Sequence, residues 1–209
     1  MIELTNLYLF LGASILLAFS PGPDNIYVMT QGITRSKKAA FVTSLGLSSG
    51  VIIHTTAAAF GISAIFHTSE MAFNVVKFLG AFYLIYMAYK AFKHRNDKLT
   101  FGQKESAKDL KALYTKGFIM NILNPKVSIF FLAFLPQFVN VSNGNVPMQM
   151  IILGVVFMIV TIVVFTSMGV IANKFGEKIV SNPSISKYLN TITAGVFFSL
   201  GLKLALSER

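Results

Sequence analysis

The sequence predicts an all-α integral membrane protein with six transmembrane helices, arranged as two inverted three-helix repeats in which helices 1 and 4 are broken. Of its 209 residues, 54% are hydrophobic and only 12% are charged, whereas soluble domains carry about a quarter charged residues. Several segments are long enough, and free enough of charge, for a bilayer span of roughly 20 apolar residues. The basic residues also cluster in alternate connections between these segments, as multi-pass proteins require.

The first span is predicted over residues 4–33. No charge separates Leu4 from Asp24, and the next charged residue is Arg35. A cleaved signal peptide would need a basic region ahead of its apolar segment, and no basic residue precedes Arg35. We therefore expect this segment to be a retained span.

The other five spans follow from the positions of the remaining charges. Residues 39–69 carry no charge, and the third apolar segment contains only Lys77, which we expect to extend to the outer interface. The long segment 117–173 contains only Lys126 and is divided by a turn region rich in Pro, Asn and Gly around 136–147. Spans two to six are therefore predicted over residues 39–66, 71–92, 117–138, 148–172 and 185–206.

The distribution of basic residues predicts the orientation. Fourteen of the 18 lie in or beside the connections that follow spans one, three and five, and the connections at 67–70 and 139–147 have none. By the positive-inside rule, the basic connections are cytoplasmic and both termini face outward. The net charge of +10 is therefore a mark of topology, and we expect the lipid bilayer, and no nucleic acid, as a partner.

The connection 93–116 divides the chain into a first repeat, residues 1–92, and a second repeat, residues 117–209. An odd number of spans in each repeat gives the two copies opposite orientations, as in many secondary transporters. The connection itself could bind a regulator or could be a solvated link. Charge runs are usually solvated, so we favour the link.

Both repeats begin with a span that proline interrupts. Span one contains Pro21-Gly22-Pro23 and span four contains Asn124-Pro125. Proline blocks a continuous helix but fits the first turn of a new one. We therefore predict Gly22 and Asn124 as helix N-caps. Irregular backbone at membrane depth is tolerated where it is buried or lines a wet cavity, so both breaks are candidate parts of a site.

Asp24 directly follows Pro23 and Lys126 directly follows Pro125, and both are charges inside the predicted membrane region. A carboxylate is favoured at a helix N-terminus, whereas an ammonium is disfavoured and needs an anion nearby. Charged residues inside a span mark functional sites by default. We predict an Asp24/Lys126 pair as the centre of substrate binding and proton coupling. The alternatives are a purely structural ion pair, or a Lys126 side chain that reaches the cytoplasmic interface.

Asn121 and His54 are further candidates. Asn121 precedes Asn124 by three residues and shares its helix face, so it either joins the break or packs against a neighbour. His54 lies in the middle of span two among Ser and Thr residues. It either lines a polar path and relays protons or is a hydrogen-bonded structural histidine.

The residue types speak against enzymatic chemistry. The chain has no cysteine, its three histidines are scattered, and it lacks HExxH and a pair of carboxylates within the spans. We expect no enzymatic activity, no metal and no cofactor. A channel or transporter for small ions or other metabolites is an alternative, although no selectivity-filter motif is present. The glycine-rich helix faces would permit a homodimer.

A set of motifs, in order along the chain, resembles the LysE/RhtB family of amino-acid exporters. The resemblance implies a bacterial inner-membrane protein that exports amino acids or close derivatives in antiport with protons. This sequence departs from the family pattern at Met87-Ala88, where a glycine is common in the family. The matching segments are 20–24, 46–54, 77–86, 117–126, 134–138 and 195–201.

Overall fold

The computed structural model describes residues 2–62, 70–96, 109–181 and 183–206, and all regular structure within them is helical. This confirms the all-α class. The helices are α1 (Leu4–Phe19), α2 (Pro23–Thr34), α3 (Lys37–Ala57), α4 (Glu70–Lys93), α5 (Leu110–Ile122), α6 (Pro125–Ile129), α7 (Val146–Ser181) and α8 (Pro183–Leu206). A π-helical turn over Ala58–Ile62 continues α3, and a π-helical turn over Phe130–Phe134 followed by a 3₁₀ turn over Leu135–Phe138 continues α6.

Three to five membrane spans are supported by length and composition in the described residues. The segments Lys37–Gly61, Asn74–Lys93 and Val146–Gly176 each qualify alone, and the α1–α2 and α5–α6 pairs qualify if each bent pair forms one span. The apolar part of α8, Asn190–Leu206, is shorter. The six-span arrangement therefore stays a prediction.

The two predicted helix breaks are present. The axes of α1 and α2 differ by 60°, and those of α5 and the Pro125–Phe138 segment differ by 49°. Gly22 and Asn124 are the N-caps of α2 and α6, each followed by proline in the first turn. Asn124 Oδ1 accepts a hydrogen bond from the backbone N–H of Lys126 at 3.0 Å, which is the usual role of an asparagine cap.

Two helices extend beyond the predicted spans. The helix that contains the start of the span predicted over 117–138 begins at Leu110, where the Asp109 carboxylate caps it by accepting from the Lys111 N–H. The helix that contains the span predicted over 148–172 continues to Ser181. The charges near both ends limit the apolar stretch, whereas a helix can continue beyond the membrane into water. Residues 97–108 of the predicted connection lie outside the described residues.

Lys77 also differs from its prediction. Its side chain is 8% exposed, and its ammonium lies 4.7 Å from the centre of the Phe78 ring. A cation above an aromatic face is stabilised by the ring quadrupole. The side chain therefore packs within the protein and does not extend to the interface.

The helices pack in a pattern that pairs the two halves. α3 runs along α5 and α7, α4 runs along α8, and both α1 and α2 contact α7. Glycines allow the closest approaches: Gly46 of α3 lies against the Tyr114 backbone of α5, and Gly32 of α2 lies against the Gly169 backbone of α7. Such small residues let helix backbones approach within a membrane.

A cluster of phenylalanines holds the second half of span four in place. Phe130 and Phe131 are fully buried, and the Phe130 ring lies 5.9 Å from Phe10 and 5.3 Å from Phe157, measured between ring centres. Tilted and edge-on aromatic pairs add stability beyond their buried area. α1 and α7 are thereby packed against the segment that follows the second break.

The predicted orientation can be tested with thiol labelling, because the chain has no cysteine. Ser142→Cys and Lys111→Cys place single thiols at exposed positions on opposite sides of span four. In intact cells, a membrane-impermeant maleimide should label Ser142→Cys but should label Lys111→Cys only after permeabilisation. The reverse pattern would overturn the orientation that the basic connections predict.

Candidate functional site

The two intramembrane charges lie in the first turns of the helices that follow the breaks. Asp24 is 1% exposed and Lys126 is 3% exposed. The Lys126 ammonium also adjoins the first break, because a Cβ placed on Gly22 would be 3.2 Å from its Nζ. The breaks of the two halves therefore meet at one buried polar region.

Lys126 binds the end of α1. Its Nζ donates to Ser20 O at 3.0 Å and to Leu17 O at 3.4 Å. These are carbonyl groups at the C-terminus of α1, where the peptide dipoles concentrate negative charge. The ammonium therefore finds its electrostatic partner in the last backbone carbonyls of α1, next to the first break.

Asp24 binds span four through Asn121. Its Oδ2 accepts a hydrogen bond from Asn121 Nδ2 at 3.3 Å. Asp24 also lies in the first turn of α2, where the N-terminal dipole favours a carboxylate. The prediction that Asn121 joins the break region is thereby supported.

The predicted direct ion pair between Asp24 and Lys126 is not formed in this structure. The carboxylate is taken by Asn121 and the ammonium by the α1 carbonyls. The Lys126 side chain does not extend to the cytoplasmic interface either, since it is buried. Each charge is held by a helix end and a neutral polar group, and this leaves both charges able to accept a further partner.

His54 connects to the same network one step away from Asp24. Its Nε2 lies 3.0 Å from the backbone oxygen of Asn121, and it must be the donor because a carbonyl can only accept. The ring packs 6.0 Å from Phe131, centre to centre. His54 thus joins α3 to α5 and holds Asn121 in position, which agrees with the structural alternative.

Five buried polar atoms around the breaks lack a hydrogen-bond partner among the described residues. An unpartnered buried polar group costs about 1–3 kcal/mol, so a cluster of them is expected to meet water or a ligand. One is an amide donor, three are carboxylate or amide acceptors, and the hydroxyl can do either. They are Ser20 Oγ, Asp24 Oδ1, Asn25 Oδ1, Asn121 Oδ1 and Asn124 Nδ2.

The first break also forms part of a cavity of about 540 Å³. Pro21, Gly22 and Pro23 line one wall, and α4 and α8 supply the others. Pro125, by contrast, is exposed and does not line it; its role here is to begin α6. The two breaks are thus alike in sequence, but only the first adjoins this cavity.

Several residues at the site were not selected from the sequence. Ser20 and Asn25 flank the Pro-Gly-Pro segment, and both are buried with an unpartnered side-chain oxygen. Tyr83, Tyr86 and Lys90 line the cavity. Their spacing of three and four residues places them on one helix face, and this spacing was the signal available in the sequence.

The arrangement is suited to holding a small molecule that carries both charges. An acidic and a basic group lie buried within one polar region, each with neighbouring atoms that can accept further hydrogen bonds or donate them. Within the described residues, no three His, Asp or Glu side chains come together in a way that could hold a metal ion.

Comparisons with known proteins identify relatives over nearly the whole chain. A family model described as LysE type translocator matches residues 15–208. The membrane protein YrhP of Bacillus subtilis, described as uncharacterized, is 29% identical over 97% of this chain and 99% of its own length. The homoserine/homoserine lactone efflux protein of Salmonella typhimurium is 30% identical over 95% of each chain. No solved structure matches.

A pair of glycine substitutions tests how tightly Asn121 is held. A Cβ on Gly50 would lie 2.7 Å from Asn121 Oδ1, whereas a Cβ on Gly195 would meet nothing within 4 Å. Gly50→Ala should destabilise the protein by about 1–3 kcal/mol through overpacking. Gly195→Ala should be neutral, or stabilising by up to about 1 kcal/mol, because alanine is the better helix former. Thermal unfolding in detergent measures both, and equal midpoints would contradict the close α3–α5 contact.

Proposed function

Because the chain belongs to the LysE type translocator family and is a multi-pass membrane protein, we propose that it is a secondary transporter that exports amino acids or close derivatives from the cytoplasm in exchange for protons. The homoserine/homoserine lactone efflux proteins among its relatives support this substrate class. The bacterial inner membrane is its proposed location.

The substrate binds between the two helix breaks, and the pair of buried opposite charges is the observation that carries this proposal. The carboxylate of a zwitterion meets Lys126 Nζ and the unpartnered amide donor Asn124 Nδ2. Its ammonium meets Asp24 Oδ1 and Asn121 Oδ1. The unpartnered polar atoms at the breaks are of the types that these two groups require.

Substrate binding replaces the hydrogen-bond partners of Lys126 and does not simply add new ones. Without substrate, Lys126 is held by Leu17 O and Ser20 O. A carboxylate is a stronger acceptor for an ammonium than a neutral carbonyl, because charge-assisted hydrogen bonds are roughly twice as strong. Substrate therefore competes with the end of α1 for Lys126, and its arrival loosens the contact between the two broken spans. Differential binding of this kind is what couples a ligand to a conformational change.

Asp24 provides the coupling to protons. It is buried in the first turn of α2, and its Oδ1 has no partner among the described residues. A proton that arrives from the outside neutralises the carboxylate and removes its attraction for the substrate ammonium. Substrate is then released outward, and loss of the proton to the cytoplasm restores the binding form. Each cycle exchanges protons inward for substrate outward.

Alternating access is proposed to arise from two inverted repeats that rock around the site. The helix contacts support this arrangement. In two inverted repeats, the α1/α2 pair corresponds to α5/α6, α3 corresponds to α7, and α4 corresponds to α8. Under this correspondence, the α3–α5 contact has its counterpart in the contact of α7 with the α1/α2 pair. The α3–α7 and α4–α8 contacts each join two corresponding helices. In a fold with such a pairing, the two halves can pack in two equivalent arrangements, one open to each side of the membrane.

Asp24→Asn tests the coupling. Amino-acid uptake into inside-out vesicles with an acidic interior should fall at least about tenfold, because the amide cannot ionise and pairs poorly with an ammonium. Asp109→Asn, which removes an exposed carboxylate outside the site, should retain uptake. Unchanged, gradient-driven uptake by Asp24→Asn would remove Asp24 from the coupling role. Flux that does not saturate and survives collapse of the gradient would instead identify a channel.

Lys126→Met tests the carboxylate site. The substitution keeps an unbranched side chain but removes the ammonium, so the apparent KM for substrate should rise by roughly tenfold or more, equivalent to at least about 1.4 kcal/mol. Lys111→Met, which removes an exposed charge from α5 outside the site, serves as the control and should keep the wild-type KM. A KM that is unaltered in Lys126→Met at normal expression would contradict the assignment.

A further inference from the structure

The cavity at the first break lies beside the charged site but is formed by different residues. Its volume of about 540 Å³ is within the range of roughly 300–1,000 Å³ that small-molecule sites occupy. The broken span one, the second half of α4 and the first half of α8 form its walls. Besides Pro21, Gly22, Pro23 and Ile26, it is lined by Tyr83, Tyr86, Met87, Lys90, Ala91, His94, Asn190, Thr193 and Phe197.

The cavity lies toward the end of α4 that the charge pattern assigns to the cytoplasm. Lys90 and His94 lie at this end, where Asn190 Nδ2 of α8 donates to His94 O at 3.4 Å. Toward the opposite end, α4 and α8 are closely packed. A Cβ on Gly201 would be 3.1 Å from Ala81 O, and one on Gly80 would be 3.2 Å from Leu204 Cδ2. In this conformation the cavity therefore lies between the two helices on one side, and the helices pack directly against each other on the other side.

Gly22 lies in the cavity wall next to the Lys126 ammonium. Gly22 lines the cavity, and a Cβ added to it would be 3.2 Å from Lys126 Nζ. The absence of a side chain at this position leaves the ammonium one residue away from the cavity. A carboxylate in the cavity thus has a short route to the buried cation.

The charges of the lining favour one class of ligand. Among the described residues, the lining includes Lys90 and His94 but no Asp or Glu. A cleft lined by one sign of charge raises the local concentration of the opposite charge and lowers that of like charge. The tyrosines, Asn190 and Thr193 add neutral polar groups. A free carboxylate is therefore attracted, and a second positive charge on a ligand is disfavoured.

We propose that this cavity is the cytoplasmic vestibule of the transporter, and that it selects amino acids with a free carboxylate and an uncharged side chain over basic amino acids and over amines that lack a carboxylate. The selection rests on the proposed export function, but the vestibule itself does not. Substrate enters between Tyr86 and Asn190 and passes Gly22, and its carboxylate then binds the Lys126 ammonium. Homoserine fits this class, whereas lysine and homoserine lactone do not.

Single thiols test the vestibule without requiring transport. Met87→Cys places a thiol in the cavity lining on α4. Ile192→Cys places a thiol on α8 between the lining residues Asn190 and Thr193, at a position that is exposed but does not line the cavity. In inside-out vesicles, a hydrophilic maleimide should label Met87→Cys at least about tenfold faster than Ile192→Cys, because the first thiol meets water and the second meets lipid. Equal or reversed rates would overturn the vestibule, whatever the protein transports.

A charge reversal with a matched control tests the selection. Lys90→Glu changes a lining residue, and Lys93→Glu makes the same change three residues later, outside the lining. Both ammonium groups lie near tyrosine rings, 5.7 Å from Tyr86 and 5.9 Å from Tyr89. In vesicle uptake, Lys90→Glu should raise the KM for homoserine by about tenfold, the lower end of electrostatic focusing, and should increase inhibition by lysine. Lys93→Glu should leave both unaltered.

The outcomes separate the two proposals. Wild-type protein that takes up homoserine, lysine and homoserine lactone equally well would overturn the selection and leave export intact. Equal effects of Lys90→Glu and Lys93→Glu would likewise overturn it, because a general loss of surface charge would then explain the result. If the wild type transports none of the three compounds while Met87→Cys is labelled as expected, the export function fails and the water-filled cavity stands.

Discussion

The contact between the Lys126 ammonium and the last carbonyls of α1 is the interaction on which the rest of the site depends. A charge buried in a membrane protein must be neutralised locally, and a broken helix exposes backbone groups that need partners. Here the two requirements are met together: the first break ends α1 at the Leu17 and Ser20 carbonyls, and the second break places Lys126 where its ammonium can bind them. The two halves of the chain are thereby joined at their two helix breaks.

The surrounding helices hold this contact at a defined place. Gly50 allows α3 to approach Asn121, His54 binds the Asn121 backbone oxygen, and the Asn121 amide binds Asp24. On the other side, the buried Phe130 and Phe131 fix the segment that follows Lys126. The site is therefore rigid on the side of α3 and α5. It is open on the side of α4 and α8, where the cavity reaches Gly22.

Much of this could be predicted from the sequence, because the relevant signals are local. A proline within an apolar segment breaks a helix wherever that helix packs, so Gly22 and Asn124 were identified as caps. The partner of Lys126 could not be obtained in the same way. The sequence contained one nearby acid, Asp24, and an ion pair was the natural hypothesis. Backbone carbonyls are present at every residue, and only the bend of 60° between α1 and α2 shows which of them are free to accept.

The sequence by itself determined the helical membrane class, the place of both breaks and the two charges beside them, because apolar length, proline chemistry and charge placement act over short stretches of chain. Only the tertiary structure decided that Asn121 and not Lys126 binds Asp24, that Lys77 packs against Phe78, and that Tyr83, Lys90 and Thr193 share a cavity with Pro21. Asp24 and Asn121 lie on separate helices, as do Pro21, Tyr83 and Thr193, and their meeting depends on crossing geometry and on close glycine contacts, which the order of residues along one helix does not encode.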